Sequence, residues 1–243
     1  MPDPIFSERR LAAIYDAFDG DRSDLDVYAA IVDELGARTV LDIGCGTGTL
    51  ACVLARRGLE VVGVDPAAAS LEVARTKPDA DGVTWICGDA TTLPPLQVQL
   101  ATMTGNVAQV FLSDDAWSAT LRGTAAALQP DGHLVVETRV PAQRAWLDWD
   151  RQHTQQQLDL PGVGLVTTWC DLLDVTLPLV TFRWTNVFAA DGAVRTSDST
   201  LRFRDRDEVE RSLHDAGFTV DDVRDAPDRP GQELVFLARR SSR

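Results

Sequence analysis

Three closely spaced glycines form the part of this sequence that is best suited to hold a ligand. Gly44, Gly46 and Gly48 follow an apolar run at 40–43 that contains one acid, Asp42. Glycine lets a backbone approach a ligand because no Cβ intervenes, and the free N–H groups of a helix that begins here can bind polar groups. Asp42 would repel a pyrophosphate but suits a ligand that carries an ammonium group. The turn therefore predicts a small-molecule site with a place for a positive charge.

Two further apolar runs also end in a carboxylate. Asp65 ends the run at 60–65, and Asp89 ends the run at 83–89. The carboxyl ends of parallel strands meet at one edge of a sheet, so both acids should lie near the glycine turn, where Asp65 can accept the hydroxyls of a ribose. Each acid also has a structural alternative, because Asp65 can cap the next helix and Asp89 can form an Asx turn.

The acid followed by Gly-x-Gly-x-Gly resembles the first motif of the class I S-adenosylmethionine-dependent methyltransferases. The resemblance implies S-adenosylmethionine as the cofactor, with Asp65 at its ribose and Asp89 and the N–H of Ala90 at its adenine. It also implies that Tyr15, in an N-terminal helix, contacts the methionine end. The residues that the resemblance implies at the cofactor are Tyr15, Asp42, Gly44, Cys45, Gly46, Gly48, Asp65, Pro66, Asp89, Ala90 and Thr104.

Two other classes of protein remain open. A nicotinamide-dependent oxidoreductase uses the pattern G-x-G-x-x-G, but its third glycine would fall on Thr49, so the spacing fits poorly. A non-catalytic S-adenosylmethionine-binding subunit would keep the three carboxylates but would lack an open pocket beside Asn106. Binding of a dinucleotide would identify the first class, and a closed acceptor side would identify the second.

The candidate catalytic residues follow the fourth and fifth predicted strands. Strands one and four flank the point where the strand order switches, so the loop at 103–109 should face the transferable methyl group. In this loop, Asn106 offers both a hydrogen-bond donor and an acceptor. Arg139 could bind a substrate carboxylate or form a structural ion pair, and His153 lies where a substrate could be. We expect Asn106, Arg139 and His153 to serve direct in-line methyl transfer, which mainly requires that the acceptor be positioned.

Hydrophobic periodicity predicts an α/β fold. Strands and helices alternate from residue 39 to residue 138, which is typical of a Rossmann-like, mostly parallel sheet with helices on both faces. The resemblance implies seven strands, the last of them antiparallel. The predicted regions are N-terminal helices at 1–38, a cofactor-binding core at 39–140, an insertion at 141–204, and a final helix with strands at 205–243.

The insertion changes the pattern from alternating units to consecutive strands. A helix is predicted at 141–157, followed by strands at 163–175, 179–189 and 194–204, with a hairpin at Asp191-Gly192. The segment resembles the antiparallel insertion of small-molecule methyltransferases, which caps the substrate pocket or pairs two copies into a homodimer. The alternative is a β-layer that is buried on the main sheet.

Composition limits the partners. The formal net charge of −14 argues against nucleic acid and against an anionic membrane surface, since both attract basic residues. No apolar run approaches the ~20 residues of a membrane span, and the first residues lack the pattern of a signal peptide. The four cysteines match neither a metal motif nor a disulfide framework. We therefore expect a cytoplasmic enzyme with a small-molecule methyl acceptor and no metal.

Overall fold

The computed structural model describes residues 1–20 and 22–241; residues 21, 242 and 243, which belong to the first and last predicted regions, lie outside the described residues. The helices are α1 (Pro4–Ser7), α2 (Arg9–Phe18), α3 (Asp24–Glu34), α4 (Thr49–Arg56), α5 (Ala68–Ala74), α6 (Asp114–Ala127), α7 (Arg151–Thr154) and α8 (Arg206–Asp215). The strands are β1 (Thr39–Ile43), β2 (Glu60–Asp65), β3 (Val83–Cys87), β4 (Val98–Met103), β5 (Leu128–Arg139), β6 (Gln156–Leu160), β7 (Gly164–Thr176), β8 (Leu179–Phe188), β9 (Val194–Arg202), β10 (Phe218–Asp225) and β11 (Glu233–Arg240).

Within the described residues, seven strands form the main sheet in the order β10-β11-β5-β4-β1-β2-β3. The pairs from β5 to β3 are parallel, whereas β11 runs antiparallel between β5 and β10. The predicted Rossmann-like fold class is thereby confirmed. The strand order reverses between β1 and β4, so the loops that follow these two strands border one crevice.

The two faces of the main sheet bury separate apolar clusters. One cluster joins the sheet to α6 and α8 and includes Leu41 and Trp117. The other joins it to α3 and α4 and includes Val40 and Leu100. Because successive side chains of a strand point to opposite faces, Asp42 lies on the same face as Val40. Its carboxylate is thus directed into the α3–α4 side of the sheet.

A second, antiparallel sheet of β6-β7-β8-β9 accounts for the other strands of the described chain, and we call it the insertion sheet. Its buried residues pack mainly outside the two clusters of the main sheet. Phe188 packs with Leu11 of α2, whereas Val180 packs with Trp146 and Phe203. The insertion sheet is therefore not a layer that is simply buried on the main sheet.

The predicted helix at 141–157 is wrong. Tight 3-10 turns occupy Pro141–Gln143 and Ala145–Asp148, α7 is a single turn, and β6 begins at Gln156. Arg144 has a left-handed backbone with φ +50°, which interrupts any continuous helix. The apolar side chains of this segment are instead buried against the insertion sheet, where the Trp146 ring meets Phe203 edge-on at 4.7 Å. Tertiary packing outweighs the helical spacing here.

No helix of the described residues is both long and apolar enough to cross a membrane.

Gly123→Ala should destabilise the protein. Alanine normally favours a helix interior by about 1 kcal/mol over glycine. Here, however, the added Cβ in α6 would lie 2.0 Å from the carbonyl oxygen of Ala90. Overpacking of this kind costs about 1–3 kcal/mol, so we expect a net loss of that order in guanidinium unfolding. Ser118→Ala in the same helix is the control, and a Gly123→Ala protein at least as stable as the wild type would contradict the packing.

Candidate active site

The glycine turn after β1 leaves open space at its middle residue. Gly44, Gly46 and Gly48 all have left-handed backbones, with φ of +70°, +54° and +77°. A Cβ at Gly44 would lie 2.6 Å from Val107, and one at Gly48 would lie 2.3 Å from the ring of Trp85. At Gly46 no atom lies within 4 Å of such a Cβ. The outer glycines are thus required by packing as well as by conformation, whereas the middle one borders open space into which a ligand fits.

Asp42 is a buried carboxylate beneath this turn. Only 2% of the residue is exposed, and Oδ1 accepts a hydrogen bond from the Thr102 hydroxyl at 2.8 Å. Burial raises the pKa of Asp42 to about 7, which the Thr102 hydrogen bond opposes and the negative charge of Asp65 reinforces. A ligand ammonium group near this carboxylate would stabilise its ionised form. The position therefore fits the positively charged amino end of S-adenosylmethionine.

Asp65 shapes the turn as well as facing it. Its Oδ2 accepts the N–H of Gly46 at 2.9 Å, and its Oδ1 accepts the N–H of Ala67 at 2.7 Å. The second bond forms an Asx turn just before α5, and the N-cap of that helix is Ala67, so the predicted helix cap by Asp65 is wrong. Burial raises the pKa of Asp65, and the two backbone hydrogen bonds oppose this. A carboxylate has about four acceptor positions, so two remain for ribose hydroxyls.

Asp89 lies in the predicted Asx turn. Its Oδ1 accepts the N–H and the hydroxyl of Thr91, at 2.8 and 2.6 Å. The residue is exposed, whereas Ala90 beside it is buried against α6. Pro66, at the end of the neighbouring strand, is exposed too. The structure thus places Asp65 and Asp89 at adjacent strand ends, with a solvent-accessible surface at Asp89.

Tyr15 lies half-buried in α2. Its ring centroid is 5.4 Å from that of Phe6, and burial raises the pKa of its hydroxyl. Arg22 and Arg139 both lie close enough to exert a smaller, opposing effect on that pKa. Tyr15 of α2 therefore lies near enough to Arg139, at the end of β5, for the charge of Arg139 to affect its pKa, and its contact with the methionine end stays a prediction.

The loop after β4 is held in a left-handed conformation. Gly105 and Asn106 both have φ of +63°. The backbone N–H of Asn106 donates to Glu137 Oε1, and its Nδ2 donates to Glu233 Oε1, each at 3.2 Å. Its Oδ1 is buried without a hydrogen-bond partner among the described residues. Thr104, just before Gly105, is half-buried. The side chain of Asn106 thus points into the protein instead of into an open pocket.

Arg139 joins the same buried network. Its Nη1 donates to Gln109 Oε1 at 3.0 Å, and its Nε lies 3.6 Å from Glu233 Oε1. Arg229 pairs with the same Glu233 oxygen at 2.9 Å. The structural ion pair, one of the two alternatives for Arg139, is therefore present. The guanidinium also lies over the ring of Trp149, with 5.6 Å from Cζ to the ring centroid.

Glu137 and Glu233 are the site residues that sequence analysis missed. Burial and the nearby charge of Glu233 raise the pKa of Glu137 to about 8, and Arg139 and Arg229 oppose this. Glu137 directly follows the apolar run at 134–136, and Glu233 directly precedes the apolar run at 234–238. An acid within such a strand is a signal that could have identified them, because carboxylates are rarely buried unless they are paired.

His153 is not part of this network. It lies in α7, its side chain is 50% exposed, and its Nδ1 is 2.8 Å from the carboxylate of Asp150. Among the described residues, no hydrogen bond connects it to Asn106 or Arg139. The structure thus brings Asn106 and Arg139 together through Glu233 but leaves His153 at the surface.

The inner face of the insertion sheet carries Trp184 between two packed regions. Phe182, Trp184 and Phe188 alternate along β8 and share one face, as predicted. Phe182 contacts Trp149 and Phe188 packs with α2, whereas Trp184 between them is half-buried. Trp184 thus has ring surface available between α2 and the Trp149 segment.

The described residues contain no group of three or more His, Cys, Asp or Glu side chains that could hold a metal ion.

Comparison with known proteins agrees with this geometry. Residues 40–132 match the family model described as a methyltransferase domain. Over these residues the chain is thus similar to methyltransferase domains. The chain is 33% identical over 155 residues to the biotin biosynthesis bifunctional protein BioHC of Cellvibrio japonicus. This alignment covers 58% of this chain and 29% of that protein. It is 34% identical over 110 residues to the cypemycin N-terminal methyltransferase of a Streptomyces species, 45% of each chain. The chain therefore spans less than half the length of these two relatives.

Solved structures show that the fold extends beyond the matched domain. An S-adenosylmethionine-dependent methyltransferase from Clostridium acetobutylicum superposes with a TM-score of 0.77 at 17% identity, covering 96% of this chain and 98% of that one. The amino pentose methyltransferase CalS10 from Micromonospora echinaspora, solved with bound S-adenosylmethionine, gives 0.72 at 22% identity, covering 94% and 97%. The insertion sheet is thus within a shared architecture.

Asp42→Asn should stabilise the ligand-free protein, increasingly with pH. Because folding raises the pKa of Asp42 from 3.8 to about 7, the folded state binds more protons in that window, and the free energy of unfolding falls as pH rises through it. Asparagine stays neutral and still accepts from Thr102. The variant's gain in free energy of unfolding over the wild type should be near zero at pH 3.5. It should grow up to pH 7 and level off there at about 2–4 kcal/mol. Urea unfolding at several pH values measures it, with the exposed Asp33→Asn as control; a gain that does not change with pH would refute the assignment.

Proposed function

We propose that this protein is an S-adenosylmethionine-dependent methyltransferase that acts on a small-molecule acceptor by direct in-line methyl transfer. The observation that carries the proposal is the open space at Gly46, bordered by the buried carboxylates of Asp42 and Asp65. A loop with a free middle glycine, an acid below it and an acid beside it suits a ligand that carries an ammonium group and a ribose.

Each of three carboxylates would bind a different part of the cofactor. Asp42 lies nearest the turn and would attract the ammonium group, directly or through a bridging water. Asp65 would accept the ribose hydroxyls while it keeps its bonds to the backbone. Asp89 would accept the adenine amino group at the exposed end, with the N–H of Ala90 facing the ring. When bound, the cofactor supplies a methyl group on a positively charged sulfur, which is an activated leaving group.

The chain's contribution to the chemistry is mainly positioning. Orientation of an acceptor in line with a methyl group can supply about 7–11 kcal/mol of the barrier. Glu137 and Glu233 fix the loop that carries Asn106, and Arg139 is held between Gln109 and Glu233. Because the Asn106 side chain points into the protein, Asn106 would stiffen the loop on the acceptor side, whereas Arg139 would form a rigid part of its wall. His153 at the surface has a minor role at most.

The size of the acceptor follows from the insertion sheet. Its inner face, with Trp184 between the contacts to α2 and to Trp149, would border the acceptor, and a site enclosed in this way suits a small molecule better than a polymer. The net charge of −14 also disfavours a nucleic acid. Amino sugar substrates in the names of structural neighbours support a small acceptor. The outer face of the same sheet is exposed and suits the pairing of two copies.

A nicotinamide-dependent oxidoreductase is the second candidate, and the structure provides no observation that favours it. A pyrophosphate bound at the turn would bring negative charge close to the buried carboxylate of Asp42, where little water is present to weaken the repulsion, and this is unfavourable. Thr49, where the third glycine of that motif would fall, is already the first residue of α4.

The cofactor assignment predicts selective binding. Titration calorimetry should show S-adenosylhomocysteine and S-adenosylmethionine binding, with no heat from NAD. Asp89→Ala should weaken binding by about tenfold, the loss of one hydrogen bond to a charged group. The exposed Asp81→Ala, eight residues earlier, is the matched control and should bind as the wild type does. Tight NAD binding without an S-adenosylhomocysteine signal would overturn the function.

The acceptor assignment predicts that substitutions on the two faces of the insertion sheet have different effects on the rate of methyl transfer. Transfer of a labelled methyl group should be detected with a panel of small amino sugars and phenols, and not with RNA or a folded protein. Trp184→Ala should lower the transfer rate at least about tenfold, because an aromatic wall is lost, without changing S-adenosylhomocysteine binding. Trp169→Ala, on the opposite face, is the control. Equal effects of the two variants, or transfer only to a macromolecule, would refute the small-acceptor site.

A further inference from the structure

Lys77 is the only lysine in the sequence, and it lies beside the glycine turn. Its Nζ is 2.7 Å from Asp16 Oδ2, 2.6 Å from Thr49 Oγ1 and 3.2 Å from Thr47 Oγ1. Only 18% of its side chain is exposed. Thr47, between two glycines of the turn, also donates its hydroxyl hydrogen to Asp16. One ammonium group therefore connects the turn, the start of α4 and helix α2.

Few polar contacts attach the N-terminal helices to this part of the fold. Ser70 of α5 donates to the carbonyl oxygen of Phe6 at 2.9 Å. Arg9 pairs with Glu72 at 2.7 Å, but both side chains are largely exposed, and such pairs contribute little. The Asp16–Lys77–Thr47 cluster is the contact that joins α2 to the glycine turn itself. We call this cluster the latch.

The position of Lys77 is electrostatically unfavourable for α4. The start of a helix carries a partial positive charge, so a cation at Thr49 repels it. Asp16 offsets this repulsion with a close negative charge. The ammonium group of Lys77 is thus held at an unfavourable place by an acid from another helix. This indicates that the main contribution of Lys77 is to connect α2 with the turn.

We propose that Lys77 is a positioning residue for the cofactor: through Asp16 and Thr47 it holds α2 closed over the glycine turn. This inference rests on the proposed function, since it assumes that the turn binds S-adenosylmethionine. Tyr15, next to Asp16 on α2, is held in place by the same latch. Loss of the latch lets α2 separate from the turn, so the bound cofactor loses one wall of its site.

Variants at Lys77 test the latch by titration calorimetry with S-adenosylhomocysteine. Lys77→Met keeps the aliphatic stem and removes the charge, and it should raise the Kd about tenfold. Lys77→Arg keeps a cation that can reach Asp16 and should restore binding to within about threefold. Asp16→Asn should resemble Lys77→Met, and the double variant should be no weaker than either, because one interaction is lost in all three.

A matched control separates the latch from general stability. Arg57→Met removes another cation of an ion pair, with Asp33 at 3.0 Å, from the opposite end of α4. It should leave the Kd unchanged. Circular dichroism and thermal unfolding confirm that each variant is folded before its Kd is used.

The single lysine also allows a test on the wild-type protein. Acetylation by an amine-reactive ester modifies Lys77 and the α-amino group of the chain, and mass spectrometry measures each separately. S-adenosylhomocysteine should slow acetylation of Lys77 at least about fivefold, because it stabilises the form in which the latch is closed and so lowers the fraction of molecules in which the latch is transiently open. It should leave the α-amino group unaffected.

The outcomes distinguish this inference from the proposed function. A wild-type protein that binds no S-adenosylhomocysteine overturns the proposed function and the latch with it. A wild-type protein that binds, together with a folded Lys77→Met protein of equal Kd, or Lys77 acetylation that the ligand does not slow, overturns the latch alone.

Discussion

The buried carboxylate of Asp42 is the constraint on which the ligand site depends. Removing a carboxylate from water is costly, and here its one neutral hydrogen bond, from Thr102, compensates only in part. The cost is tolerated because β1 must place an acid at the point where the strand order reverses. A positively charged ligand group would repay it. In the proposed function, the ligand's ammonium group would relieve this unfavourable charge, which would link the stability of the ligand-free protein to its affinity for the cofactor.

On the proposed acceptor side, the buried carboxylates have partners, unlike Asp42. Glu137 and Glu233 are buried too, but Glu233 is paired with Arg139 and Arg229, and both glutamates accept hydrogen bonds from Asn106. A closed network of this kind is rigid, because each member holds the next in one geometry. Such rigidity suits a transfer that requires alignment more than proton movement. The end of the crevice at Asp42 therefore suits a positively charged ligand group, whereas the end at Glu137 and Glu233 is held rigid by hydrogen bonds and ion pairs.

The elements that surround the crevice come from distant parts of the chain. Helix α2 is joined to Lys77 through Asp16, the insertion sheet carries Trp184, and β11 contributes Glu233. Only the parallel core lies within the matched methyltransferase domain at 40–132. The core thus determines the ligand's place, whereas segments outside it decide what else can enter. This division explains how one fold can serve many acceptors.

The sequence by itself determined the core. Periodicity located β1, β3 and β4, and the acids at strand ends located Asp42, Asp65 and Asp89, because local patterns specify strands and parallel strands share one edge. Tertiary structure decided the rest. Residues 141–157 have helical spacing, yet burial of Trp146 against Phe203 outweighs it. Asn106, Arg139 and Lys77 each have hydrogen-bond partners that lie 30 to 127 residues away along the chain. Short-range patterns contain no information on such pairings, so only the folded chain could reveal them.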